Sequence, residues 1–273
     1  MTPAHLVAFG LNEAPFSKEI PDAQLWLPPS KQAVADALVE GLTERASIIL
    51  VGEPGVGKTC VLRALRTQIP QAGFRLTYCQ NATLGRRDFY RQLCMALGLP
   101  PTTSAAGLFW AVSTHVENLA KDNLHPVFLL DEAHLLHQDT LDHLHILLNY
   151  QWDSRALLSL ILVGLPELQD RLALRRNRSL YSRIHHRLVV GPLTVEDTAE
   201  YLRLRLARVG CDRELFPADA VALLHEATLG AMRDIDRVAT AALRETARKK
   251  RRLVERETLA RVLDAEAQAR AAA

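Results

Sequence analysis

No apolar run in this sequence approaches the ~18 residues of a membrane-spanning helix, so the chain offers no transmembrane segment. Its start, Met1-Thr2-Pro3-Ala4-His5, lacks the basic and apolar regions of a secretion signal. Cysteine is sparse. Cys60, Cys79, Cys94 and Cys211 stand apart without C-x-x-C spacing, which speaks against a zinc ribbon and against a disulfide framework. Together these absences predict a cytoplasmic protein in a reducing compartment, with no membrane partner. A charge excess of one sign is also missing. The 33 basic residues face 31 acidic ones, so the net charge of +2 does not announce nucleic acid. The distribution says more than the sum, because nearly all the basic residues are Arg, whose planar fork suits phosphate and carboxylate. There is no internal repeat. An apolar content of 48% over 273 residues can fill one large core or two smaller ones.

What is present is most informative at Gly52-Glu53-Pro54-Gly55-Val56-Gly57-Lys58-Thr59, a complete G-x-x-x-x-G-K-T pattern. The run Ser47-Ile48-Ile49-Leu50-Val51 before it reads as a buried strand, and Cys60 to Thr67 after it has helical spacing. Glycines let a backbone wrap closely around an anion, and the amides and dipole at the following helix start favour its charge. The pattern therefore predicts a phosphate-binding loop for a nucleoside triphosphate, ATP, along Gly52, Glu53, Pro54, Gly55, Val56, Gly57, Lys58, Thr59 and Cys60. In such a loop the lysine, Lys58, reaches the β- and γ-phosphates, and the threonine, Thr59, ligates Mg²⁺.

Further along, Phe74–Cys79, Pro126–Asp131, Leu158–Gly164 and His186–Val190 read as strands. Residues 31–45, 87–97, 105–120 and 135–150 read as helices, the first with Ser30 as its cap. Apolar strands alternating with helices predict an α/β fold: a parallel five-stranded sheet covered on both faces. After Gly191-Pro192 the pattern becomes helical only, over about 195–209, 217–228, 231–250 and 255–270. The expected organisation is an N-terminal extension at 1–30, a nucleotide-binding α/β domain at 31–191 and an all-helical lid at 192–273, with the nucleotide between the last two. The extension is Pro-rich and reads as irregular. Phe9, Phe16, Leu25 and Trp26 make it too apolar for a free tail, so it is expected to drape over the nucleotide site or a neighbouring subunit. The Ala-rich end, 265–273, is expected to fray.

The third strand ends in two acids, Asp131 and Glu132. In phosphate-loop enzymes an acid there supports Mg²⁺ through water, which assigns that role to Asp131. Glu132 then stands where a base can orient or deprotonate the attacking water. Between Arg171 and Arg187 lie six arginines and no carboxylate. That stretch reads as a nucleic-acid surface, with Arg171, Arg175, Arg176 and Arg178 as its contacts, or as a subunit interface that presents arginine to the next nucleotide. Lys249-Lys250-Arg251-Arg252 is a second basic run. His134, His137, His143 and His145 lack an H-E-x-x-H pattern and a distant Cys partner, so they do not read as a metal site. Trp110, Trp152 and Tyr150 read as packing residues rather than base-stacking platforms.

Taken together, these motifs resemble the AAA+ ATPases, and within them the ExeA-like branch that includes secretion-linked ATPases and the TniB-like helpers of bacterial transposons. The resemblance spans roughly residues 5–250. Beyond the phosphate loop it is carried by Phe9-Gly10-Leu11 with Pro15-Phe16-Ser17-Lys18-Glu19-Ile20 and by Asp131-Glu132-Ala133-His134-Leu135-Leu136. Leu147-Leu148-Asn149-Tyr150, Ile161 to Leu168, and Gly191-Pro192-Leu193 leading to Tyr201–Leu206 complete it.

The resemblance implies that Arg233, in Gly230-Ala231-Met232-Arg233, is the lid arginine that touches the γ-phosphate in cis. It also implies an arginine supplied in trans, for which Arg183 is the candidate and Arg178 and Arg187 are competitors. One departure stands out. Leu165 occupies a position that is often polar in the family, so Asn149 or a backbone group must substitute, or hydrolysis is slow. Secretion relatives usually continue into a membrane anchor and a wall-binding region, whereas this chain stops after the lid. The expectation is a slow, assembly-coupled ATPase that polymerises as a ring or helical filament on duplex DNA and recruits a transposase, with or without a target-selection protein. The alternatives are an adaptor in secretion and a helicase loader or initiator.

Overall fold

Five strands form a single parallel sheet: β1 (Ser47–Val51), β2 (Phe74–Cys79), β3 (His125–Leu130), β4 (Ser159–Gly164) and β5 (Ile184–Val189), in the order β2-β3-β4-β1-β5. The computed structural model describes residues 3–79, 83–100 and 104–271. β1, β3 and β4 are buried along their whole length, as central strands covered on both faces must be, and this is why they read as unbroken apolar runs. β2 and β5 lie at the edges, and their residues are buried only in part. The edge position explains why β5 starts two residues earlier than its apolar run suggests: His185 and Arg187 are exposed members of a half-covered strand. β3 ends at Leu130, so Asp131 falls just past the strand rather than inside it.

Helices Pro29–Thr43, Lys58–Gln68, Arg86–Ala96, Ala105–Lys121 and Gln138–Leu147 flank the sheet. The first starts with proline, whose missing N–H costs nothing in a first turn, and this puts Ser30 inside the helix instead of capping it. The helix expected from residue 135 begins at Gln138, after a 3₁₀ turn at Ala133–Leu135. Short helices at Glu167–Ala173 and Arg178–Tyr181, with a 3₁₀ turn at Arg175–Asn177 between them, fill the β4–β5 connection that the periodicity left unassigned.

The residues group into two units. One holds 29–53 and 58–190; the other holds the N-terminal residues through Pro28, the loop tip 54–57, and everything from Gly191 on. In the second unit, Val195–Ala207 begins with a capping box between Thr194 and Asp197. Ala218–Thr228, Met232–Arg248 and Arg256–Ala271 follow. The last helix continues to Ala271 where fraying was expected, and Ala272 and Ala273 lie outside the described residues.

The N-terminal segment is not wholly irregular. It forms a helix at Ala4–Phe9, closed by Gly10 at φ 70°, and a 3₁₀ turn at Asp22–Gln24. Its apolar residues pack on the C-terminal helices of the same unit. Phe16 meets Phe216 edge-on at 6.3 Å, and Trp26 meets Tyr201 at 5.9 Å. The buried Arg205 fixes the segment by donating to the carbonyls of Pro15 (2.7 Å) and Ser17 (2.6 Å). These contacts hold Phe16 and Trp26 against their own unit.

The aromatic expectation is corrected at two positions. Tyr150 is buried, at 5% exposure, but Trp110 is 71% exposed and Trp152 is fully exposed at 101%. Neither tryptophan is a packing residue. Nothing in the sequence around them distinguishes a buried indole from an exposed one.

At the start of β3, the buried His125 shares a 2.8 Å hydrogen bond with Ser159 at the start of β4. Burial, with the charge of Arg45 adding to it, lowers its imidazole from the ordinary 6.5 to about 4. Between those values the unfolded chain binds the extra proton and the folded chain does not, so stability falls as pH drops from about 6.5 to about 4. Urea midpoints across that window should decline for the wild type and decline less for His125→Gln. Equal slopes for the two proteins would place the loss at other groups.

Candidate nucleotide site

Parallel pairing points every strand end in one direction, and open parallel sheets bind ligands at the C-terminal strand ends. β1 leads there into Gly52, and β3 leads into Asp131. β4 lies between them, so at ~4.8 Å per strand spacing the phosphate loop and the acid pair are about 10 Å apart along this rim. The amide of Gly52 donates to the carbonyl of Gly164 at the end of β4, tying the rim together at 3.3 Å.

The loop has the conformation its glycines predict. Gly55 at φ 82° and Gly57 at φ 103° occupy backbone space that L side chains rarely adopt. The helix begins at Lys58, so its first amides have no partners within the helix and face the loop. The Lys58 ammonium folds back onto the carbonyls of Gly52 (2.6 Å) and Glu53 (3.1 Å). Thr59 is exposed in the first turn, and Cys60 is half-buried behind it.

Arg233 stands in the first turn of Met232–Arg248, exposed, and its amide donates to the Gly55 carbonyl at 3.2 Å. A Cβ added at Gly55 would lie 2.9 Å from the Cβ of Arg233, so this glycine is required by proximity as well as by φ. A guanidinium at the positive end of a helix is unfavourably placed on its own, and an anion held at the same end would reverse that sign.

At the acid pair, Asp131 receives two hydrogen bonds, from Tyr78 Oη to Oδ2 (2.6 Å) and from the Glu132 amide to Oδ1 (2.9 Å). Its carboxylate keeps lone pairs for water, which fits a metal held mainly by substrate phosphates, Thr59 and solvent. The Tyr78 hydroxyl is raised above its usual range by burial and then by this bond to Asp131. Glu132 has left-handed backbone at φ 52°, a strained state for a side-chain-bearing residue and one that concentrates at functional sites. That turn directs it into solvent, where it is exposed.

Two residues here escaped the sequence reading. Tyr78 is one. It sits at the exposed edge of β2, and the only available signal was a hydroxyl-bearing residue near a strand end. His134 is the other. Its Nδ1 lies 3.6 Å from Glu132 Oε2 and 3.5 Å from the Leu165 amide, so an imidazole stands beside the position where Leu165 supplies no polar group. Gly164 leaves room for it, since a Cβ there would approach His134 to 3.2 Å. Asn149, the other substitute, is exposed at the end of Gln138–Leu147.

The arginines do not converge on one point. Arg171 donates to the His134 carbonyl at 2.8 Å, beside the acidic turn. Arg175, Arg176 and Arg178 are exposed. Arg183 is engaged within its own chain, to Asp153 at 2.7 Å and the Ser179 carbonyl at 3.1 Å, and Arg187 lies 4.1 Å over the Tyr181 ring.

With this geometry in view, comparison with known proteins is direct. Residues 42–172 match the family model described as an AAA domain. The fold is that of the AAA+ ATPases. It is similar to a chain in the structure of Drosophila ORC bound to DNA (TM-score 0.70, 20% identity, 96% of this chain and 65% of that one). It is also similar to the ORC2 protein of Aeropyrum pernix in its ADPNP-ADP complexes (TM-score 0.64, 14% identity, 93% and 71%). In sequence the chain is 34% identical over 239 residues to General secretion pathway protein A of Aeromonas hydrophila, a match covering 86% of this chain and 43% of that protein. The chain therefore spans less than half the length of this relative. Among the described residues no helix is long and apolar enough to cross a membrane.

Gly55→Ala adds strain at φ 82° and a contact with Arg233. Left-handed backbone costs an alanine about 1–2 kcal/mol, so affinity for a fluorescent ATP analogue should fall about 5–30-fold. Wild-type affinity in that variant would mean the loop has room for a side chain when it binds.

Proposed function

We propose that this AAA+ protein is an ATP-dependent regulator of DNA transposition, of the TniB-like kind, that assembles on duplex DNA and recruits or activates a transposase, with or without a target-selection protein. The unit at 31–191 is taken as the ATPase domain, 192–273 as its lid and 1–30 as an extension. Lys58, the loop from Gly52 to Cys60, and Arg233 hold ATP; Thr59 and, through water, Asp131 hold Mg²⁺. Bound Mg²⁺ supplies charge neutralisation at the phosphate oxygens. Glu132 orients the attacking water and accepts its proton, while Lys58 and Arg233 neutralise charge that builds on the phosphates. An arginine from a neighbouring protomer completes the site, with Arg183 the first candidate, which would have to release Asp153 and the Ser179 carbonyl to reach it, and Arg178 and Arg187 the others. Head-to-tail completion of this type generates a ring, or a helical filament where the rotation does not close. The protein is read as cytoplasmic.

One observation carries the DNA reading: six arginines and no carboxylate between Arg171 and Arg187, with Arg175, Arg176, Arg178 and Arg187 exposed. Binding of this sort is mainly to phosphates, weakly sequence-selective and steeply salt-dependent. A second reading, an adaptor that assembles on a protein of a secretion system, is favoured by the identity with General secretion pathway protein A. A helicase loader or initiator has only the fold likeness behind it.

Filter binding to duplex DNA with ATP across a salt series separates these readings. Retention that falls steeply with salt supports the DNA-bound regulator; no retention at low salt excludes it and leaves the protein-bound adaptor. For the chemistry, Glu132→Gln should keep ATP binding, lower turnover by about 10²–10⁴-fold and trap the assembled state. Unchanged turnover would put the base elsewhere.

A further inference from the structure

The turn joining Gln138–Leu147 to β4 has a conformation that local sequence alone does not justify. Gln151, Trp152 and Asp153 are consecutive non-glycine residues at φ 50°, 61° and 64°. Left-handed backbone costs such residues about 1–2 kcal/mol each, so the turn persists only because its surroundings over-determine it. Those restraints are visible. Tyr150 is buried and bridges to Arg155 across the turn. The Ser154 hydroxyl donates to the Gln151 carbonyl at 2.6 Å. Arg183 binds Asp153 with one guanidinium nitrogen and the Ser179 carbonyl with the other, fixing the turn to the helix Arg178–Tyr181. The result of this strain is a fully exposed indole at the tip.

The surroundings of the indole state what it fits. Arg155 and Arg178 are exposed, and Arg187 lies over Tyr181 in that same short helix. Across 150–155 and 171–187 the one carboxylate is Asp153, which Arg183 already neutralises. A rigid aromatic set among arginines, with no carboxylate left uncompensated, is how nucleic-acid surfaces stack bases while holding phosphates.

Resting on the DNA-binding reading above, we propose that Trp152 is an aromatic wedge that stacks against the bases of bound duplex DNA, while Arg155 and Arg178 hold the flanking phosphates. Such a wedge partly unstacks a base step and bends the duplex.

The test uses the full chain with a non-hydrolysable ATP analogue and a short duplex, titrated by fluorescence anisotropy at several salt concentrations. Trp152→Ala should weaken binding about tenfold and leave the salt slope unchanged, because it removes stacking and no phosphate contact. Trp152→Phe should recover most of the affinity. Arg178→Gln should lower the slope by about one. A duplex with a central mismatch, cheaper to unstack, should bind the wild type more tightly and Trp152→Ala with no such preference. Since the side chain is exposed, melting midpoints should be alike. Wild-type affinity in Trp152→Ala would overturn the wedge and leave DNA binding standing. A Trp152→Ala protein that fails to assemble with nucleotide in the absence of DNA would overturn it too, making the indole a protomer contact. A wild type that binds no duplex at low salt would remove the DNA reading itself, and the wedge with it.

Discussion

The alignment of β1, β4 and β3 is the constraint on which the rest of this structure depends. A triphosphate site needs backbone amides, a lysine and a metal-supporting acid on one rim, and the residues of that pattern come from segments far apart in the chain. Parallel pairing solves the problem because it delivers the Gly52–Thr59 loop and the Asp131–Glu132 pair to one rim, with β4 as the spacer. Burial of these three strands on both faces fixes that alignment, since a register slip would expose or misplace apolar side chains.

Several local choices run against intrinsic preference. Glu132 is held in left-handed backbone, Gly55 has space for no side chain, and Arg233 sits at the positive end of its helix. Each is unfavourable in isolation. An anion held at the start of Met232–Arg248 would stabilise that helix end and the arginine at once. Tyr78 and His134 add polar partners to the two acids from neighbouring elements, so the acid pair is oriented from outside its own strand.

Much of the fold was legible in the residues. β1 and β2 were bounded correctly, and β3 and β4 within a residue, because a continuous apolar run between turn signals has few other readings. β5 was harder to bound: as a half-covered edge it carries histidines and an arginine that look like loop. The helix Ala4–Phe9 is only six residues long, too short for a period to register. Long-range contacts were not legible at all. Nothing near Tyr78 signals a bond to a residue 53 positions away, and nothing near Trp152 signals that Arg183 would hold its turn open. Side-chain exposure in a turn is decided by its anchors, which lie elsewhere in the chain.

The most direct test of the account is calorimetric titration of a non-hydrolysable ATP analogue, with Mg²⁺, into the wild-type protein and into Lys58→Ala. The geometry of the loop predicts saturable binding with one site per chain in the wild type, and its loss in the variant, whose loop amides remain but whose ammonium is gone. Absence of binding in the wild type, or equal affinity in the two proteins, would contradict it.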